Sequence, residues 1–266
     1  MPMIVIGSVS GAPGVTTSAL ALAATWPQPV LVVEADASGG DLIVRLDLNP
    51  ERGAASLAAQ QRHFPANGTV APHLQSVRVA DRSIDVLAAP VGSAEAAASI
   101  AAVLARVPFR QLNTTVIVDI GRLGPPGPST SATTWSLLSM ADFALLVSSG
   151  RPDALAHVAA AYGVVKQAAG ECLRLLVVED GPYDADEINS AFHCPGITMI
   201  PHDVRSVGLL HRNGPQTVAR TALGRVFQQL SKKLAGTSVD GLRELPSCVA
   251  PVSPPVASTP LMWRTR

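Results

Sequence analysis

Residues 3–24, MIVIGSVSGAPGVTTSALALAA, run from an apolar segment through a glycine-containing loop into a helix-forming stretch, and they constrain the fold more than any other part of the chain. A strand, a tight loop and a helix in that order are the layout of a phosphate-binding loop. Gly11 and Gly14 let the backbone turn its N–H groups inward, and the new helix points its positive end at the same spot. Thr16 and Thr17 open the helix, and Thr16 stands where such a loop offers a hydroxyl to Mg²⁺. The pattern G-x-x-x-x-G-K-[ST] has a lysine just before that threonine, and this chain has Val15 there. A plain Gly/Pro turn between a strand and a helix fits the same residues, so the rest of the chain decides.

The 266 residues suffice for one large α/β domain with a filled core. Short apolar, β-branched runs at 29–34 (PVLVVE), 83–88 (SIDVLA), 115–119 (TVIVD), 143–148 (FALLVS), Leu173–Val178 and Ile197–Ile200 read as strands buried on both faces. Helices are expected between them at 94–106, at 153–168 behind Pro152, and at 184–192, where Asp184 and Glu187 have capping-box spacing. Residues 218–235 carry Leu223, Val226, Phe227, Leu230 and Leu234 on one stripe and read as a closing helix. Six or seven such strands alternating with helices predict an α/β, doubly wound, mostly parallel sheet flanked by helices, with a ligand crevice at the carboxyl ends of the strands. The domain is expected over residues 1–236. The Pro-, Ser-, Val- and Thr-rich stretch 237–266 is expected to be an extended tail, with Trp263 as a candidate anchor for a partner.

Two strand ends carry acids. Glu34 and Asp36, two residues apart, are expected on the same side of the chain. Asp119 closes the run 115–119, and an apolar strand ending in aspartate is how phosphoryl-transfer proteins hold Mg²⁺. Residues 65–72 and 122–128, rich in Gly and Pro, read as loops.

Loop, strand-end acids and their order together resemble the MinD/ParA family of deviant Walker A ATPases. The family's K-G-G-x-G-K-T-T lies on residues 10–17, with Ser10 and Val15 in place of its two lysines. The resemblance spans residues 3–235 and implies ATP or ADP with Mg²⁺. It places the nucleotide on Gly11, Ala12, Pro13, Gly14, Val15, Thr16 and Thr17, with the metal beside Thr16, Asp36 and Asp119. Asp36 matches the catalytic second acid of the family's D-x-D motif, whose first acid is Glu34 here. Pro201-His202-Asp203 resembles the P-x-D turn beside the base, which gives Pro201 and Asp203 to the nucleotide. His202 either stacks on that base or faces solvent. Where the family often has an adenine-reading asparagine, this chain has Glu179-Asp180. The resemblance further implies a dimer that positions DNA, a division site or a secretion apparatus.

Twenty basic and twenty acidic residues give a formal net charge of 0. No overall field draws the chain to nucleic acid, so strong DNA binding is not expected, and protein partners, a second copy included, are. Cys172, Cys194 and Cys248 are odd in number and far apart, which suits reduced thiols in a cytoplasmic protein. Met1-Pro2-Met3 carries no basic segment, and no run reaches the ~20 apolar residues of a membrane span.

Losing a charge-assisted phosphate contact costs about 1.5–3 kcal/mol, roughly tenfold to a hundredfold in affinity. Losing a preorganised positive charge commonly costs a further 10²–10³ in phosphoryl-transfer rate, an order-of-magnitude figure. The leading reading is therefore a degenerate member that binds nucleotide weakly or hydrolyses it slowly and acts as a regulatory or positioning protein. Two others stay open: an active ATPase in which Arg122 or Arg151 replaces the lysine, and a structural interaction module with no nucleotide.

Overall fold

A computed structural model describes residues 1–11, 13–61, 70–125, 131–210 and 218–237. Ala12, most of the expected 65–72 loop, residues 126–128, and Cys248 and Trp263 in the stretch from 238 onward lie outside the described residues.

The elements run β1 Met3–Ser8, α1 Val15–Thr25, β2 Val30–Glu34, α2 Leu42–Arg45, α3 Ala54–Gln61, β3 Gln75–Val79, β4 Arg82–Leu87, α4 Ser93–Leu104, β5 Thr115–Arg122, α5 Ser131–Met140, β6 Phe143–Ser149, α6 Pro152–Ala169, β7 Leu173–Val178, α7 Ala185–Phe192, β8 Ile197–Ile200, α8 Val204–Leu210 and α9 Ala222–Ala235. The strands form one sheet in the order β3-β4-β2-β5-β1-β6-β7-β8, and every neighbouring pair is parallel except β3 with β4.

Because side chains alternate along a strand, a sheet covered on both faces needs apolar residues at nearly every position. Met3, Val5, Val116 and Val118 join the core layer that takes in α3 to α7, while Ile4, Ile6, Val32 and Ile117 join the layer under α1, α8 and α9. Each such side chain contributes about 1.5–3 kcal/mol by leaving water. The stripe on α9 is part of the second layer: Leu223, Phe227, Leu230 and Leu234 are all buried there. On α7 the capping box is formed, with Asp184 Oδ1 accepting the N–H groups of Asp186 and Glu187 at 2.9 Å each and Glu187 Oε2 accepting the Asp184 N–H at 3.1 Å.

The sheet has eight strands rather than six or seven. The additional strand, β3, pairs antiparallel with β4 through a two-residue turn, and its only apolar inward residues are Val77 and Val79. An edge strand needs fewer buried residues than a central one, which is why its pattern is weak. The turn uses Ala80 at φ 55°, a left-handed conformation with no glycine to announce it. Two short helices, α5 and α8, also lay outside the sequence reading. Asp119 does not end its strand, since β5 continues to Arg122 through Gly121 at φ 58°.

Candidate functional site

Strand order puts β5 between β1 and β2, so Asp119 is in register with Ile6 on one side and Glu34 on the other. The Ala35 N–H donates to the Asp119 carbonyl at 2.6 Å, and the Leu123 N–H to the Ser8 carbonyl at 2.7 Å. These bonds tie the start of the loop after β1 and the acid-bearing turn after β2 to the same end of β5.

The loop itself turns through left-handed backbone at Gly11 (φ 62°) and Gly14 (φ 95°), and Gly14 caps α1. A helix leaves its first N–H groups without intrahelical acceptors. Among the described residues Ser18 is the first to bond back, at 2.8 Å to the Gly14 carbonyl, as in a helix whose opening N–H groups point out of its start. Val15 contributes only its backbone, because its side chain is buried in the core layer under α1.

Asp119 is buried. Its Oδ1 accepts the Gly121 N–H at 2.9 Å, while its Oδ2 has no hydrogen-bond partner among the described residues. Burial pushes its pKa up to about 6; the Thr16 hydroxyl and the Gly121 N–H oppose the shift, and Asp36 adds to it. Asp36 accepts the Ser38 N–H at 2.7 Å on Oδ1, and burial raises its carboxyl above the usual range. Its carboxylate lies directly over Gly121. Thr16, Asp36 and Asp119 are therefore brought together around the end of β5.

Mg²⁺ is the ion that such a fold implies. Among the described residues no cluster of three or more His, Cys, Asp and Glu side chains forms a ready-made metal cage. A Mg²⁺ that shares phosphate oxygens and water needs only one or two carboxylates. A buried carboxylate oxygen without a donor, with a second partly buried carboxylate and a hydroxyl beside it, fits that demand. Ser8 Oγ at the end of β1 is likewise buried without a partner among the described residues.

Glu34 does not share the place of Asp36. Its Oε1 accepts the N–H groups of Asp41 (2.6 Å) and Leu42 (3.0 Å), and its Oε2 accepts that of Ala89 (3.0 Å). It is a staple between two loops, and three backbone donors hold its carboxylate. Burial first, and the nearby Asp119 charge with it, raise Glu34 to about 7 against these donors.

Beside the loop opens a cavity of about 670 Å³. Gly11, Pro13, Gly14 and Thr17 line one end, and Pro201, His202 and Asp203 line another, so the expected base turn faces the same space as the loop. Thr16, Asp36 and Asp119 lie outside this lining, as a neighbouring subsite at β5. Asp203 accepts the Ser206 N–H (3.1 Å) and the Ser206 hydroxyl, which hold its carboxyl below the usual range. Arg122 and Arg151 both line the cavity. His157, Asp180 and the exposed Val204 line it too. Sequence reasoning assigned no role to His157 or Val204; the carboxyl ends of β6 and β7 beside β1 are where topology would have directed attention.

A strand, a backbone-donor loop and a helix at the centre of a doubly wound parallel sheet define the P-loop NTPase class of fold. Among solved structures the chain is similar to a ParA family ATPase from Chlorobium tepidum TLS, at 16% identity over 87% of this chain and 97% of that one, with a TM-score of 0.67. It is similar to the cell division ATPase MinD of Pyrococcus furiosus (18% identity, 88% and 98% covered, TM-score 0.66) and to an ATP complex of a Cyanothece McdA variant (15%, 90% and 97%, TM-score 0.61). No family profile and no curated protein sequence matches the chain. Its fold is that of the MinD/ParA-type ATPases.

Proposed function

We propose that this chain is a nucleotide-binding regulatory or positioning protein in which a nucleoside di- or triphosphate lies on residues 11–17. The observation that carries the reading is the meeting of three features at one end of the sheet: the opening N–H groups of α1, the unpartnered Asp119 oxygen, and a cavity running from the loop to Pro201 and Asp203. The phosphates would take the backbone N–H groups of Gly14 to Thr17 and the positive end of α1. Thr16, Asp36 and Asp119 would hold Mg²⁺, which supplies neutralisation of phosphate charge. Asp36 would orient an attacking water, and Asp119 Oδ2 would take a ligand once its charge is compensated.

No lysine reaches this space from Ser10 or Val15, so binding is weak and turnover slow. A second reading, an active ATPase with a substitute arginine, is favoured by the presence of both Arg122 and Arg151 on the cavity wall. The exposed Arg151 guanidinium pairs with Asp153 at 3.5 Å, an exposed pair that costs little to break. In this reading the chain works as a cytoplasmic homodimer through protein partners, with the Pro-rich stretch 237–266 as a docking segment, and its even charge balance speaks against a nucleic-acid partner.

Calorimetric titration with ATP, ADP and GTP in the presence of Mg²⁺, followed by turnover on the same preparation, tests these readings. Binding without turnover supports the first, turnover lost on Arg122→Ala or Arg151→Ala supports the second, and no binding by any nucleotide rejects both.

A further inference from the structure

No lysine stands at position 10 or 15, so a positive charge at the loop has to come from elsewhere, and the strand beside the loop delivers one. β1 and β5 run in register up to Ile6 and Asp119, but the next pair is Ser8 with Arg122, so three steps on β5 span two on β1. Gly121, left-handed at φ 58°, sits where the extra residue is taken up, as the glycine of a bulge does. A bulge bends its strand and re-aims the side chains beside it. Arg122 is the side chain that follows. The Leu123 N–H fixes the backbone just beyond it by donating to the Ser8 carbonyl at 2.7 Å, and Ser8 is two residues before the loop position Ser10.

Arg122 is exposed and lines the cavity together with Ser10 and Gly11. Among the described residues its guanidinium has neither an ion pair nor a hydrogen bond. Arg151, the other arginine of the lining, is paired with Asp153. At the other end of the cavity the Pro201–Asp203 turn supplies a carboxylate instead. Positive charge at the loop and negative charge at the far turn orient an anionic ligand with its phosphates toward Arg122.

We propose, on the reading of the loop as a nucleotide site, that Arg122 binds the terminal phosphate of a nucleoside triphosphate and makes the site discriminate the triphosphate from the diphosphate. The helix start takes the inner phosphates through its backbone N–H groups, which fixes how far along the site each phosphate lies. Asp119 and Arg122 stand on either side of the bulge, so the acid suited to a metal shared by the outer phosphates and the free guanidinium flank the same end of the phosphate chain. A guanidinium offers two parallel donors to one phosphate group, and a terminal phosphate brings more charge to them than a bridging one. A diphosphate on the same loop ends one group short and leaves Arg122 in water.

The test is calorimetric titration of the full chain, with Mg²⁺, against ADP and the β,γ-imido analogue of ATP, which keeps turnover out of the reading. The analogue is expected to bind about tenfold or more tightly than ADP, the effect of one charge-assisted phosphate contact. Arg122→Ala is expected to bring the analogue down to the level of ADP while ADP itself stays within about twofold of wild type, and that retained ADP binding shows that the variant is folded. Arg122→Lys, which keeps the charge and loses the fork, is expected to fall between the two. Equal binding of the two nucleotides by wild type, an equal loss of both in Arg122→Ala, or a preference that survives Arg122→Ala and disappears in Arg151→Ala overturns the assignment and leaves the nucleotide reading standing. Failure of wild type to bind either nucleotide overturns the nucleotide reading and the assignment with it.

Discussion

The Asp36 carboxylate occupies the space where a side chain on Gly121 would begin. Gly121 holds φ 58° next to the last residue of β5, and its N–H anchors Asp119 Oδ1. The bare glycine thus lets an acid in the turn after β2 approach the same place as an acid on β5. Gly121→Ala is expected to lower stability by about 2 kcal/mol or more, from left-handed strain and displacement of Asp36, and to abolish Mg²⁺-dependent nucleotide binding. Gly163→Ala, on the open face of α6, is the control and should stabilise by about 0.5–1 kcal/mol. Urea denaturation of both variants gives the answer; an unchanged midpoint for Gly121→Ala would place Asp36 elsewhere.

Stability is expected to fall as pH rises through neutrality in the absence of ligand. Glu34 is raised from 4.5 to about 7 and Asp119 from 3.8 to about 6. The folded chain therefore retains protons that the unfolded chain releases. This stabilising contribution is complete below about pH 4 and lost as pH climbs through 6 and 7. Between about pH 5 and 7.5 the loss should be on the order of 3 kcal/mol, read as a declining urea midpoint. Asp119→Asn should flatten the profile, and Mg²⁺ with nucleotide should restore stability at the upper end. A midpoint that rises over this range contradicts the burial of these two carboxyls.

Restoring a lysine has two opposing effects. Val15→Lys puts a flexible cation at the end of a phosphate-shaped loop, and roughly tenfold tighter nucleotide binding is expected. The structure adds a cost, since Val15 is only 6% exposed and packs in the layer beneath α1. Removing it should cost about 1–3 kcal/mol of stability, less what the lysine stem recovers by lying along the same surface. Thermal unfolding with and without nucleotide separates the effects: a lower Tm for the free variant, and a larger ligand-induced rise than in wild type. Equal affinity in a folded variant means that the loop does not cradle phosphate.

The central strands, α1 and the capping box of α7 were legible because they follow local rules: unbroken β-branched runs for strands buried on both faces, and an acid three residues ahead of another at a helix start. Thr16, Asp36 and Asp119 were grouped by the resemblance to a known family, whose motifs they match in order. What escaped was tertiary. The hairpin of β3 turns at an alanine in a left-handed conformation that no propensity announces. Glu34 looked like half of an acid pair, and its real partners are the N–H groups of Asp41, Leu42 and Ala89. Val15 was readable as a missing lysine but not as a core residue, because burial is decided by what packs across from it.

The last expectation concerns DNA. Binding without sequence preference scales with the phosphates a surface neutralises, and each contact adds about 0.9 to the slope of affinity against salt. Arg220, Arg225, Lys232 and Lys233 are exposed at and beside α9, the cluster that the sequence suggested. Arg225 already spends a guanidinium N–H on the Arg220 carbonyl at 3.0 Å, which leaves a patch able to meet roughly three or four phosphates. With a formal net charge of 0 there is no wider field to add to it. A gel-shift assay with unrelated duplex DNA near 150 mM salt, with and without nucleotide, should show no complex at micromolar protein. A complex at or below micromolar that dissolves steeply with added salt would show instead a larger basic surface, formed when two copies of the chain come together, and would return the protein to the DNA-positioning ATPases.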